Sequence, residues 1–582
     1  MSHHREDTFE TPQAAAQGRQ ALEAYRESLR HNGYEEDDHL KRLIGLYAPE
    51  ERREEMEAAL SEFGEAVMGE IDDLVRENND RHNLPRLRRW SDYGTRLEEI
   101  EHHPSYHRAG ELMYGAGIMA AYADHPNALG VLSRFYVSSF NGEAGHNCPM
   151  ACTAGVIRVL QELGDKDQKE RFLEGFLSPD YEEHLEGAQF LTEIQGGSDV
   201  GANGTRAVEG EDGTFRIYGE KWFCSNIDAD VFLMTARVEA LDEEGTRGLG
   251  LFLVPRELES GEVNGFYIRR LKEKLGTRSM ASGECNFDGA VAYHMGDVGD
   301  GFKHMMQLVI NTSRLYNAVG CCGIMRRSLV EAKAYARHRE AFGHAIENYP
   351  LVQETIADVE SEWRAALSGT MHLVALQDKM DAGEASEMER AFFRMALNLN
   401  KTQTARLARW ATVEGIEVFG GNGAIETFTV LPRLLRDAVV YENWEGTHNT
   451  LYMQVWRDMQ KYRVHEGYFG YLQELLEEVP GGEHREAVMA MMEELQQEVV
   501  KTLERPMASA SLAMRRIVEG LVDAYYGAVL LWQAAQWDVE GDEQARLEAA
   551  IDHFVDRKIV GQQTDVDDGA YLKRLSVLKE GW

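Results

Sequence analysis

Apolar residues spaced three and four apart dominate the first part of the chain: Leu40, Leu43, Ile44 and Tyr47 form one stripe, and Met56, Leu60, Phe63 and Val67 another. That spacing predicts successive amphipathic helices from Thr11 to about Gly187, broken at Pro85, Pro104 and Pro126. From about Gln189 to Ala292 the pattern becomes short runs rich in Phe, Val, Leu and Tyr. They are separated by Glu211-Asp212-Gly213, Glu243-Glu244-Gly245, Glu259-Ser260-Gly261 and Asp288-Gly289. Such runs between turn residues predict a small antiparallel β domain. Helical periodicity returns from Gly301 to about Lys461, with few breakers between Arg314 and Leu376, as in a helical bundle. A last segment, about Val464 to Trp582, is again helical, with Glu-rich faces and a largely apolar stretch from Ile517 to Trp537. The expected fold is α+β and mostly α: a helical domain over 1–187, a β domain over 188–295, a bundle over 296–460 and an additional helical domain over 461–582.

Composition narrows the class. A 43% hydrophobic content spread along 582 residues can fill several cores and excludes a disordered or fibrous chain. No apolar run approaches the roughly 18–20 residues of a membrane span, and the first thirty residues are polar and acidic, which argues against export and insertion. Six scattered cysteines read as reduced thiols of a cytoplasmic protein. Cys148 and Cys152, one helical turn apart, suit packing better than a disulfide. The net charge of −38 repels nucleic-acid backbones and anionic membranes, and 15 lysines against 46 arginines suit a salt-rich cytoplasm. From Gln460 onward, 13 basic residues face 23 acidic ones, a poor footprint for DNA. His102, His103 and His107 lack the spacing of metal ligands, so no metal is expected.

Three segments carry candidate chemistry, and no GxGxxG follows a strand to support a nicotinamide site. Leu191 to Val200, LTEIQGGSDV, leaves an apolar strand and turns on two glycines, presenting Thr192, Ser198 and bare amides together. It suits a planar, hydrogen-bonding cofactor, and by itself reads equally as an ordinary β-turn. In GEKWFCSN, Gly219 to Asn226, period two puts Phe223 and Ser225 on one face and Trp222 and Cys224 on the other; aromatic strand residues are also common core. In NWEGTHNT, Asn443 to Thr450, Glu445 stands between an indole and a glycine before a helix. Partial desolvation there would raise its basicity toward that of a general base; taken alone, a helix-start acid stabilised by the dipole is the commoner arrangement.

Together, in this order, the segments resemble the acyl-CoA dehydrogenase superfamily from about His103 to about Asp458. The signature TE-x-x-x-GSDV corresponds to Thr192, Glu193 and Gly197 to Val200, and the flavin-covering aromatic-x-Thr/Ser to Phe223 and Ser225. GDGF at Gly299 to Phe302, Arg314, R-x-x-FG at Arg339, Phe342 and Gly343, Gln353, FGGNG at Phe419 to Gly423, Arg436-Asp437 and WEGT at Trp444 to Thr447 continue the series. QGGSDV, KWF-x-S, LKEKLGTRS-x-AS, Met325-Arg326-Arg327, GEAGHNCPM and the added C-terminal helices resemble the AidB-like branch most.

The resemblance implies an N-terminal helical domain, a middle β domain and a C-terminal four-helix bundle, with FAD between the last two. It implies Glu445 as the catalytic base, removing the α-proton of an acyl-CoA while the β-hydrogen leaves as hydride to flavin N5. It assigns Leu191, Thr192, Gly197, Ser198, Phe223, Ser225, Thr447 and Asn449 to the cofactor, and Ser198, Arg314 and Gly446 to the substrate. Phe342 is assigned to the cofactor as well, and Arg339, Gln353, Glu417, Gly420 and Gly421 would reach a neighbour's cofactor across a homodimer or tetramer. Glu417 stands where a glutamine is common in the wider family, a departure the AidB-like branch shares. Glu193 counts as structural. The implied acceptor is an electron-transfer flavoprotein. An acyl-CoA oxidase using O2 and an AidB-like stress-response flavoprotein with vestigial activity are the alternatives; a nitroalkane oxidase would carry aspartate at the base position.

Overall fold

The computed structural model describes residues 13–561 and 565–581, so Thr11 and Trp582, the expected limits of the first and last helical stretches, lie outside it. The stripes read from the sequence become core: Leu40, Leu43 and Ile44 are fully buried on the helix Asp38–Tyr47, whose start is capped by the Asp37 carboxylate accepting the Leu40 N–H at 2.9 Å. Met56, Leu60, Phe63 and Val67 do the same on the next helix and the turn that continues it.

One element departs from the helical expectation. Strands β1 (Arg86–Trp90) and β2 (Arg96–Glu101) form an antiparallel hairpin inside the N-terminal region. Leu87 and Ile100 sit opposite each other and pack on the core of the β domain. Glu98 accepts the Ile268 N–H at 2.9 Å, and Arg96 lies 4.1 Å from the Tyr267 ring centroid. The hairpin is thus held by the middle domain rather than by its own, mostly charged, sequence.

The middle domain contains β3 (Gly187–Phe190), β4 (Arg206–Glu209), β5 (Phe215–Ser225), β6 (Val231–Val238), β7 (Leu249–Pro255), β8 (Phe266–Leu271) and β9 (Ser282–His294). Pairings β6–β4, β4–β5, β5–β9, β9–β7 and β7–β6 close a circuit around Phe215, Phe232, Phe252 and Phe266. Closure leaves those five strands without a free edge, while β3 and β8 each pair on one side only. The sheet is mixed rather than purely antiparallel, because β3 and β4 both run parallel to β6. Parallel pairing needs a long connection, and the chain between β3 and β6 supplies it.

Five helices form the next layer: Asn311–His338, Pro350–Asp381, Glu387–Phe419, Leu431–Asn443 and His448–Tyr462. The first two are joined by a tight hairpin whose turn residues Phe342 and Gly343 have φ of 50° and 91°. A capping box of Ser386 and Glu389 starts the third. Five further helices follow from Val464 to Leu578, and the longest, Met507–Gln536, lies on the bundle. Gly369 permits that contact: a Cβ there would meet the Tyr526 ring at 2.6 Å. No helix among the described residues is long and apolar enough to cross a membrane.

Candidate active site

Glu445 ends the turn between the helices Leu431–Asn443 and His448–Tyr462, and its backbone has φ of 56°, a region non-glycine residues rarely occupy. Two cations hold it there. Arg314 donates from Nε to the Glu445 carbonyl at 3.1 Å, and Lys401 donates from Nζ to the carbonyls of Glu442 and Gly446 at 3.1 and 3.0 Å. Arg314 is itself fixed by Asn398 at 2.7 Å and Gln454 at 3.2 Å. Gly446, with φ of 101°, completes the reversal.

The strained turn aims the Glu445 side chain into a cavity of about 30 Å³, lined among others by Phe135, Cys148, Cys152, Tyr316 and Trp444. Its Oε1 accepts one hydrogen bond, from Gln189 Nε2 at 3.2 Å, and Gln189 is anchored in turn to Ser313 at 2.9 Å. Burial pushes the Glu445 carboxyl above its ordinary pKa, and the charges of Arg314 and Lys401 and the Gln189 bond only partly offset it. The same burial lowers Lys401 to about 8 and Arg314 to about 10. A single carboxylate made more basic in a partly open, largely apolar cleft can act as a general base.

The other two segments meet beside it. Gln189 lies on strand β3, and the chain leaves the strand through Leu191 and Thr192, where the Trp222 N–H donates to the Thr192 carbonyl at 2.8 Å. Gly196 has φ of 152°, and a Cβ on Gly197 would meet Thr192 Oγ1 at 2.6 Å, so the turn closes only with glycine. Ser198 Oγ lies 3.3 Å from Thr450 Oγ1, which lies 3.0 Å from Thr447 Oγ1; this joins the turn to the helix that follows Glu445. Asn449 on that helix accepts from Arg515 at 2.8 Å. Phe223 leaves 54% of its surface exposed, while Cys224 is fully buried. A bulge between Lys221 and Cys224 disturbs strict alternation, and Lys272 Nζ lies over both Trp222 and Phe223, 3.6 and 4.8 Å from their centroids. A bare aromatic face, a glycine turn and converging hydroxyls fit a flat, polar-edged ring system.

Glu193 serves the scaffold. Its carboxylate pairs with Lys221 at 2.8 Å and accepts the N–H groups of Gly204 and Thr205 at 2.7 and 3.1 Å. His102 bonds Asp228 at 2.8 Å and stacks on Tyr106, and all six cysteines are free and buried.

The structure does not bring Arg339, Phe342, Gln353, Glu417, Gly420 and Gly421 to this cleft within one chain. Glu417 lies sixteen residues beyond Lys401 on one helix, about 24 Å at 1.5 Å per residue. Arg339 follows the end of the helix bearing Arg314, about 37 Å away by the same measure. Phe342 is 96% exposed, Arg339, Glu417, Gly420 and Gly421 are exposed too, and Gln353 donates to the Glu347 carbonyl at 2.9 Å.

The acyl-CoA dehydrogenase C-terminal domain matches residues 299–460, the acyl-CoA dehydrogenase middle domain residues 188–290, and the adaptive response protein AidB N-terminal domain residues 26–183. Acyl-CoA dehydrogenase family member 11 of Caenorhabditis elegans is 31% identical over 91% of this chain and 88% of its own length. The chain belongs to the acyl-CoA dehydrogenase family. Within the family, the putative acyl-CoA dehydrogenase AidB of Escherichia coli K12 is 29% identical over 69% of this chain and 73% of its own. The crystal structure of Caenorhabditis elegans ACDH-11 in complex with C11-CoA superposes with a TM-score of 0.84 at 29% identity, covering 92% of both chains. A Bacillus anthracis acyl-CoA dehydrogenase solved with FAD, 17% identical, shares the fold with a TM-score of 0.67.

Family membership accounts for the motif residues; three supports of the site escaped sequence reasoning. Gln189 looked like one more residue of a short strand, and Lys401 and Asn398 like polar residues of a bundle helix. A signal existed for the last two: Asn398, Asn400, Lys401, Thr402, Gln403 and Thr404 make a dense polar run in a bundle helix, all of it buried, and buried polar groups require partners.

Proposed function

We propose that the chain is an FAD-dependent acyl-CoA dehydrogenase that oxidises an acyl-CoA thioester to the 2-enoyl-CoA, with Glu445 as its base. The observation that carries this is the Glu445 carboxylate, held by a strained turn in a largely apolar cleft and made more basic by desolvation. Glu445 accepts the proton from the carbon next to the thioester carbonyl, and burial then favours its neutral form, so proton transfer relieves a buried charge. Gln189 orients the carboxylate; Arg314 and Lys401 hold the peptide that carries it. The Glu445 N–H polarises the thioester carbonyl, and Gly446 lets the chain approach it closely. Leu191, Thr192, Gly197, Ser198, Phe223, Ser225, Thr447 and Asn449 hold FAD, which supplies the hydride acceptor when bound. The domain limits at 187, 295 and 460 belong to this reading, as do an electron-transfer flavoprotein as acceptor and a cytoplasmic location.

The test is anaerobic titration of the FAD-loaded protein with a panel of acyl-CoA thioesters, C11-CoA included, followed by bleaching of the flavin. Bleaching is expected to be lost as pH falls through the raised pKa of Glu445, because the protonated acid accepts nothing. It declines again above about 8, where Lys401 loses its charge. A rate that does not fall toward the acid end of the range in which the protein stays folded removes Glu445 as the base. A protein that keeps FAD yet bleaches with no thioester favours the AidB-like reading, to which the match over 26–183 points. Hydrogen peroxide released in air at the rate of bleaching identifies an oxidase.

The exposed Arg339, Phe342, Glu417, Gly420 and Gly421, distant from the cleft of their own chain, make sense as contacts to a second chain's cofactor. Light scattering is expected to report a dimer or tetramer. A monomer mass with FAD bound contradicts that assignment.

A further inference from the structure

We propose that Lys274 sets the reduction potential of the flavin, its ammonium placed to favour the negative charge that reduction brings to the ring. The inference rests on the function proposed above and adds a positioning residue to it. Lys274 lies on the segment between β8 and β9, and its Nζ donates to the Met280 carbonyl at 2.7 Å and to Ser282 Oγ at 2.9 Å. Ser282 Oγ lies 3.4 Å from Ser225 Oγ, the hydroxyl two residues from the exposed Phe223 ring. Two hydroxyls therefore connect this ammonium to the face assigned to the flavin. Cys148 of the cleft is near enough to act on the charge of Lys274, and it packs together with Met280 and Trp444.

The charge state of the two neighbouring lysines separates their roles. Lys272, over Trp222 and Phe223, is ion-paired with Glu284 at 2.9 Å, a carboxylate that Arg269 and Arg270 share. Lys274 makes no ion pair among the described residues. Asp437, whose charge also reaches Lys274, is engaged instead by the Thr277 N–H at 2.5 Å. Burial lowers the Lys274 pKa to about 8, so it is mostly charged at neutral pH, and a largely enclosed cation whose hydrogen-bond partners are both neutral is costly to maintain. An anion arriving beside it offsets that cost. Reduction of a bound flavin supplies such a charge; a purely structural lysine would be better replaced by an apolar side chain.

The experiment is a dye-equilibrated measurement of the midpoint potential of the FAD-loaded wild type, K274M, K274Q and K274R, without acyl-CoA. K274Q keeps donors for Met280 and Ser282, so it covers the case in which K274M fails to fold. The neutral variants are expected to shift the reduced-to-oxidised ratio by at least about tenfold toward the oxidised form, about 30 mV for a two-electron couple, with K274R near the wild type. Equal potentials in all four proteins overturn the proposal. Loss of FAD by both neutral variants also overturns it, since Lys274 would then hold the cofactor rather than tune it. A wild type that binds no FAD sinks the underlying function instead, so the two failures are distinct.

Discussion

Replacing Glu445 by glutamine is expected to slow bleaching by the best acyl-CoA at least about 100-fold, the low end for removal of a general base, while FAD stays bound. The expectation of an intact site comes from what holds residue 445. Arg314 and Lys401 grip carbonyl oxygens, not the carboxylate, and Gln189 contributes a donor that an amide oxygen can accept. Glutamine therefore inherits the strained backbone and the side-chain direction, and loses only the capacity to take a proton. Anaerobic stopped-flow bleaching against the wild type measures the effect. Glu193→Gln is the control for acidity nearby: it weakens the turn around the cofactor but leaves protein that retains FAD reactive. Bleaching of the Glu445→Gln protein at the wild-type rate would mean that Glu445 is only the acid at a helix start.

What could be read in advance depended on how local its cause is. Helices with long apolar stripes were legible because burial of Leu40, Leu43 and Ile44 follows from their spacing alone. The hairpin of β1 and β2 was not, since Leu87 and Ile100 owe their burial to strands some 150 residues later. The parallel pairings of β6 were hidden for a related reason: alternation predicts a strand and says nothing of its partner's direction. At the site, Glu445 stood out through the residues around it, whereas Gln189 acquires meaning only when β3 places it beside the turn at 445. Arg339, Phe342, Gln353 and Glu417 were accessible through resemblance alone, and nothing within one chain draws them to the cleft.

The scaffold of the glycine turn should be more fragile than the turn at Glu445. Lys221 and Glu193 form an ion pair with side-chain exposures of 0% and 3%, so Lys221→Met strands a buried carboxylate and is expected to cost about 3–5 kcal/mol, read as a lower denaturant midpoint. The N–H groups of Gly204 and Thr205 remain on Glu193 and favour the lower end of that range. Burial alone would raise the pKa of Glu193, but Lys221 and these donors outweigh it and hold it below its ordinary value. Its contribution is therefore present above the unfolded carboxyl pKa and is lost as pH falls through the lower folded one, and Lys221→Met should blunt that acid sensitivity. A second substitution separates stability from function: with Glu193→Leu added, no charge is left buried, and much of the lost stability should return. FAD affinity should not return with it, because the bonds from Glu193 to Gly204 and Thr205 are what tie residues 191–205 into one turn. Recovery of both in the double variant would show that the pair supports the fold only, and a loss below about 1 kcal/mol in Lys221→Met would show that water reaches the pair and screens it.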